Sequence, residues 1–392
     1  MRRSLTLTAT VLALTLALTV PLVPAVAHAQ PGPIDTKMRM SAADRTAIDT
    51  AAQQFIANSL DGTPGLWIAV WDPKRGYYEQ AYGEASTDGT PATVTDHFLI
   101  GSITKTVFAT AVLEQVAAGR LKLTDTVRRL DPALAKKYPV AAKKTVAQLL
   151  GMTSRIPDYA DAAVGKMFAN PQQTFTRDQL IALGIAEGAA IAAPGGYSTT
   201  NYLLMGKVMQ SLTGKTPEQL VNAVLRQSGM KQSRLMTGNV VLPSPRAHGY
   251  IGDFYGPQAA LVNPSLSGTT DVTDWTMQWG KEGGGAYSTI RDLAKWGSTC
   301  LGTGLLPAKV AAERLKTTRI APGNYGLGII RQGDWLSHGG QAIGYQDNVA
   351  CNPKTGAVVA YATNSTEGPA DLASYLGTAA WPEYAKAQTA AN

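Results

Sequence analysis

A serine followed three residues later by a lysine, Gly101-Ser102-Ile103-Thr104-Lys105-Thr106, stands at the head of a long apolar stretch. Val107 to Ala118 reads as a helix: apolar residues recur at 108, 112, 113 and 116, and Gly119 is placed to end it. Residues i and i+3 share one helix face, so the Ser102 hydroxyl and the Lys105 amine can meet. Near the start of a helix, free N–H groups and the helix dipole favour negative charge, which suits a serine losing its proton. That serine needs a base, and lysine serves only where burial or a neighbouring cation lowers its pKa. Such tetrads also arise by chance on ordinary helix surfaces, so the rest of the chain decides.

The first 29 residues carry an export signal and not fold. Arg2 and Arg3 form a basic start, Leu5 to Val26 is an apolar run interrupted by Pro21 and Pro24, and Ala27-His28-Ala29 is an A-x-A cleavage site. The expectation is a signal peptide over 1–29, cut near Ala29-Gln30, the general secretory route, and a secreted domain over 30–392. No other segment is long and apolar enough to span a bilayer, so no stable membrane anchor is expected. Loss of Arg2 and Arg3 takes the formal charge from +7 to +5. The remaining excess is dispersed without a Lys/Arg cluster, which argues against nucleic acid as a partner. At 392 residues, 45% hydrophobic and 16% charged, the chain can bury a large core. Cys300 and Cys351 are its two cysteines; an oxidising compartment permits a disulfide between them, and two unrelated buried thiols is the alternative. The four histidines show no metal-ligand spacing, so no metal is expected.

Taken in order, Ser41 opens a helix with apolar residues at Ile48, Ala52, Phe55, Ile56 and Leu60. Gly65–Trp71 and Tyr77–Tyr82 read as strands joined by a turn at Asp72–Gly76. Helical spacing dominates from Thr145 to Ser228, whereas Pro243–Gly285 is rich in Gly, Pro, Ser and Trp and reads as a long loop. Strand signals return at Tyr325–Ile330, Gly344–Cys351 and Ala357–Thr363, before a last helix at about 369–387. This order implies an α+β protein: an antiparallel sheet flanked by helices, with an inserted mostly helical lobe. The α/β lobe spans about 36–120 and 286–392, the helical lobe about 121–285.

Five segments in this order carry a family resemblance: Phe98–Lys105, Thr145–Ser154 with Ile156-Pro157-Asp158, Tyr197–Gly206, Gly283–Ala294, and His338-Gly339-Gly340. With them the chain resembles the penicillin-recognising serine hydrolases over nearly its whole mature length. The nearest groups are the class C β-lactamases, the secreted D-Ala-D-Ala carboxypeptidases and related esterases. The resemblance implies a β-lactamase/transpeptidase-like fold, with Ser102 as acylated nucleophile, Lys105 as its base and Tyr197 as the tyrosine that shares proton transfer. A phenol titrates near pH 10, so Tyr197 would need positive charge beside it to work as a phenolate. His338, Gly339 and Gly340 would form a substrate-binding strand where relatives carry Lys-Thr-Gly, with Gly340 letting substrate approach. The N–H groups of Ser102 and Gln341 would form the oxyanion hole. Lys354-Thr355-Gly356 spells the third motif outright but follows Asn352-Pro353, where a polar turn is expected.

Two departures touch substrate choice. Relatives usually show Tyr-x-Asn, and here Thr199 takes the third place, offering a hydroxyl where an amide would both donate and accept. Gly339 lacks the hydroxyl that helps hold a substrate carboxylate, for which Arg331 is a candidate substitute. The reading is a secreted serine hydrolase acting on a small peptide, ester or β-lactam, without cofactor; the sequence leaves its oligomeric state open, with a monomer favoured. A D-Ala-D-Ala carboxypeptidase or related cell-wall peptidase comes first, an esterase or β-lactamase on the same scaffold second. A binding protein that has lost turnover stays as the third alternative.

Overall fold

The computed structural model describes residues 32–58, 64–188, 190–236, 241–320 and 323–366. The expected signal peptide and the last helix at 369–387 lie outside these residues.

The two hairpin segments form β1 (Gly65–Asp72) and β2 (Gly76–Ser86), paired antiparallel, with β3 (Thr90–Pro91) at the edge. The chain then passes through β4 (Phe98–Leu99) into the serine helix, Ile103–Ala117. After the helical insert, β5 (Arg234–Leu235) and β6 (Ala286–Ser288) join β4 in a three-stranded sheet, so the insert is not wholly helical. The C-terminal half supplies β7 (Thr318–Ile320), β8 (Gly323–Tyr325), β9 (Ile330–Gln332), β10 (Trp335–Ala342), β11 (Tyr345–Cys351) and β12 (Val358–Thr363). They extend the first hairpin into one nine-stranded antiparallel sheet, ordered β3-β2-β1-β12-β11-β10-β9-β8-β7.

Alternation along β1 explains why this sheet is covered on both sides. Leu66, Ile68 and Val70 pack with Ile48, Ala52 and Phe55 of the N-terminal helix Ala42–Asn58. Trp67, Ala69 and Trp71 face the opposite core, shared with the serine helix and the helix Ile290–Ser298. The serine helix is buried without a break from Ile103 to Leu113, more than its amphipathic spacing implied, because sheet and helical insert enclose it. Gly119 ends it in the left-handed region, at φ +71°.

Two sequence expectations need correcting, and the turn expected at Lys354-Thr355-Gly356 is present. The run Tyr325–Ile330 is not one strand: it leaves β8 at Tyr325 and enters β9 at Ile330, and Gly328 N–H between them bonds the Leu150 carbonyl. The Pro243–Gly285 stretch contains a helix, Gly252–Val262, despite Pro257 inside it. Lys354-Thr355-Gly356 lies in the β11–β12 turn, where Asn352 Oδ1 accepts the Lys354 and Thr355 N–H groups and Lys354 pairs with Asp334. Cys300 and Cys351 form a disulfide, with Cα atoms 5.4 Å apart, tying the turn after the Ile290–Ser298 helix to the end of β11. No helix among the described residues is long and apolar enough to cross a membrane.

Candidate active site

The serine stands at the junction of the serine helix and the strand β10. Gly101 has φ +42°, and a methyl group there would collide with the backbone nitrogen of Gln341, so only glycine brings these segments together. The amides of Ser102 and Gln341, the two named for an oxyanion hole, therefore come from adjacent backbone. Ser102 is half-buried, while Lys105 is fully enclosed at 0% exposure. Lys105 Nζ donates to Ser102 Oγ at 2.9 Å and to the Gly283 carbonyl at 2.7 Å.

Burial pushes the Lys105 amine down to about 7, partly opposed by the Asp158 carboxylate. Near neutral pH a large fraction of Lys105 is thus a free base, already touching the hydroxyl it would deprotonate. Tyr197 lies across the same pocket, with its ring centroid 4.8 Å from Lys105 Nζ. Burial raises the Tyr197 phenol well above 10, and the adjacent Ser102 hydroxyl offsets this only in part. Tyr197 is therefore a neutral phenol, and Lys105 is the group able to take the proton. The Tyr197 hydroxyl is buried and makes no hydrogen bond within the described residues, which leaves it available to bridge towards a leaving group.

His338 stands differently from the expectation of a substrate-binding residue. It is 2% exposed, its Nδ1 lies 2.6 Å from the Gly339 carbonyl and its Nε2 lies 2.9 Å from the Tyr325 hydroxyl. A carbonyl only accepts, so Nδ1 carries the proton and Nε2 accepts from Tyr325. Burial, with the Lys105 and Arg314 cations adding to it, lowers its pKa to about 3 against the Gly339 hydrogen bond. The imidazole is a neutral wall behind Tyr197, with ring centroids 6.2 Å apart. Gly340 also has another role than substrate approach: a methyl group there would strike the Ile100 carbonyl of the serine segment, whereas at Gly339 the nearest atom, the Asp347 carbonyl, is 3.7 Å away.

Thr199 is buried, and its hydroxyl donates to Asp158 Oδ2 at 3.2 Å. Asn201 does not replace the missing motif asparagine; its Oδ1 accepts from Ser154 Oγ at 2.6 Å within the core. Arg331 provides no anchor at the serine. It sits opposite Leu336, at the far end of β10 from Gln341, and its Nε donates to Gly333 within its own turn. Asp158, in the Ile156-Pro157-Asp158 segment, is a site residue that the sequence does not single out, because only the fold brings it to Lys105. Among the described residues no group of three His, Cys, Asp or Glu side chains could hold a metal.

A model of the Beta-lactamase family matches residues 52–379. Among solved structures, a D-stereospecific amidohydrolase from Streptomyces sp. is 26% identical, covering 82% of this chain and 94% of its own, with a TM-score of 0.69. The D-amino acid amidase from Ochrobactrum anthropi SV3 complexed with L-phenylalanine amide is 24% identical over 88% of this chain and 99% of its own, at 0.72. A penicillin-binding protein homologue from Pyrococcus abyssi is 23% identical over 86% of this chain and 77% of its own, at 0.69.

Proposed function

The chain belongs to the Beta-lactamase family, in the penicillin-recognising serine hydrolase superfamily, and we propose that within it this protein is an exported amidohydrolase. Its substrates are amides of amino acids, of D configuration by similarity to the Streptomyces amidohydrolase, that carry a free α-ammonium group. The observation carrying this reading is where charge lies around Lys105. Asp158 is a partly exposed carboxyl coupled to Lys105 and held by Thr199, at the motif position that in relatives meets the substrate. The groups that would hold a substrate carboxylate are a neutral His338, a Gly339 without a hydroxyl and a distant Arg331. The site favours a cation on the acyl side over an anion on the leaving side. That shifts the reading from the D-Ala-D-Ala carboxypeptidase towards an amidase.

Lys105 takes the proton from Ser102 as Oγ bonds to the substrate carbonyl carbon, and the carbonyl oxygen gains its negative charge between the Ser102 and Gln341 amides. Collapse breaks the C–N bond, and the nitrogen leaves with a proton passed from Lys105 through the Tyr197 hydroxyl. Water then attacks the ester on Ser102, giving one proton to Lys105, which returns it to Oγ. The three side chains supply nucleophile, base and relay, so the step as written calls for no cofactor.

Ammonia release from D-phenylalanine amide and from its N-acetyl derivative, compared with D-alanine release from an acylated D-Ala-D-Ala peptide, tests the reading. The free amide should turn over, the acetylated one far more slowly, and Asp158→Asn should lose about 10²-fold on the free amide, the range for removing one partner of a desolvated charge pair. Preference for the acylated dipeptide would restore the carboxypeptidase; hydrolysis of simple esters alone would favour the esterase. Export belongs to the same proposal, and secreted protein beginning at Gln30 by intact mass is its check.

A further inference from the structure

Behind Lys105 lies a partly buried ion network with no part in the chemistry just described. The short turn Lys281–Gly284 touches the serine helix, the helices Thr200–Thr213 and Pro217–Gln227, and β10. Its Gly283 carbonyl is the second acceptor of Lys105 Nζ. The preceding residue, Glu282, is completely buried, and Arg177 Nε lies 3.0 Å from each of its carboxylate oxygens. An outer nitrogen of the same guanidinium pairs with Glu218. The space for this carboxylate is made by the helix that follows Tyr197: a methyl group on Gly206 would overlap Glu282 Oε1. The turn also holds Lys281 at φ +43°, a backbone state that a lysine adopts only when its surroundings enforce it.

Buried ion pairs are weak devices for stability, because desolvation offsets most of their attraction, but a forked guanidinium fixes geometry well. We propose that Arg177 and Glu282 are a positioning pair for the catalytic base, clamping the turn so that the Gly283 carbonyl holds Lys105 Nζ against Ser102. Arg177 opens the helix Arg177–Ala186 of the insert and Glu282 ends that insert, so the clamp lets the helical region set the reach of a base carried by another helix. This inference rests on Lys105 being the base. The other charged and titratable groups around Lys105 are Asp158, Tyr197, Tyr202 and His338, and none of them belongs to the clamp.

The test is the rate at which a fluorophosphonate phosphonylates Ser102 of the full chain, with loss of fluoride, between pH 5 and 9. Glu282→Gln removes the charge facing Arg177; Gly206→Ala keeps every charge and pushes the carboxylate aside, while favouring the helix it sits in. Both should be phosphonylated about 10²-fold more slowly, as for a misplaced catalytic group. Their acid limb should move up by about one pH unit as a loosened Lys105 regains solvent. Glu218→Gln, which weakens the same arginine away from the turn, should keep the wild-type limb. A folded Gly206→Ala protein with wild-type rate and limb overturns the clamp, as does Glu218→Gln matching Glu282→Gln. A wild type that is not phosphonylated at all overturns the reading of Ser102 as nucleophile, and the clamp with it.

Discussion

The serine helix and β10 each bury one basic side chain, and burial acts on the two in the same direction. Lys105 falls from 10.5 to about 7, and His338 from 6.5 to about 3. Similar desolvation gives opposite outcomes because the starting points differ. The amine lands where it is half free at neutral pH and touches Ser102, which is what a general base needs. The imidazole lands where it never charges, its two nitrogens committed to Gly339 and Tyr325. One buried base is a reagent and the other is scaffold, and contact with the nucleophile separates them as much as pKa does.

The strongest test of this contrast is Lys105→Met. Acylation should fall by about 10⁴-fold, the upper range for losing a general base, yet the protein should become more stable at pH 7. Because the folded pKa of Lys105 lies below its unfolded value, the unfolded state binds more protons between about 7 and 10.5. Its burial therefore costs most below pH 7, and the cost fades as pH rises to 10.5. After allowing for the Gly283 carbonyl losing its donor, a gain of about 2 kcal/mol at pH 7 is expected, shrinking towards pH 10. Denaturant unfolding at the two pH values measures it, and a variant less stable than wild type at pH 7 would break the comparison. The wild-type kcat/KM should show an acid limb near pH 7 and none from Tyr197 on the alkaline side up to pH 9.

How much of this was legible in the sequence follows the range of the interactions. The Ser102–Lys105 spacing, the Gly119 stop and the first hairpin are local patterns, and the structure has all three. The sheet flanked by helices followed from the order of those patterns. What stayed hidden depends on partners far apart in the chain: Tyr325 donating to His338 Nε2, Arg177 reaching Glu282, and the Ile100 carbonyl filling the space left by Gly340. The Gly252–Val262 helix was hidden for another reason, since glycine and proline inside it spell a loop.

His338→Asn sharpens the scaffold half of the comparison. Losing the bond from Tyr325 should lower kcat/KM about tenfold, the kinetic equivalent of roughly one hydrogen bond, without moving the acid limb. Stability reports the other half. The folded pKa of His338 lies below 6.5, so the unfolded state gains protons first and wild-type stability falls as pH drops from 6.5 to about 3. That contribution reaches about 4 kcal/mol at pH 3, and it should be missing from His338→Asn. A variant whose acid limb shifts would show that His338 is coupled to the chemistry after all.

Asp347 supplies the smallest effect and the reverse sign. It sits opposite Gly340 on β11, 2% exposed, with neither carboxyl oxygen hydrogen-bonded, and burial alone raises its pKa well above the usual carboxylate range. The unfolded state then releases a proton above pH 3.8 that the folded state keeps, so this residue lowers stability as pH rises through that value. Asp347→Asn, which has the same shape and no charge to lose, should match wild type near pH 3.5 and exceed it at pH 7. Asp347 lies across from Gly340, on the face that meets the Ile100 carbonyl, and has no part in proton transfer, so kcat/KM and its acid limb should not change. Equal stability of the two proteins at pH 7 would mean that the carboxyl is ionised in the fold. Burial without a partner would then not fix the protonation state, and the account of Lys105 and His338 would have to rest on their hydrogen bonds instead.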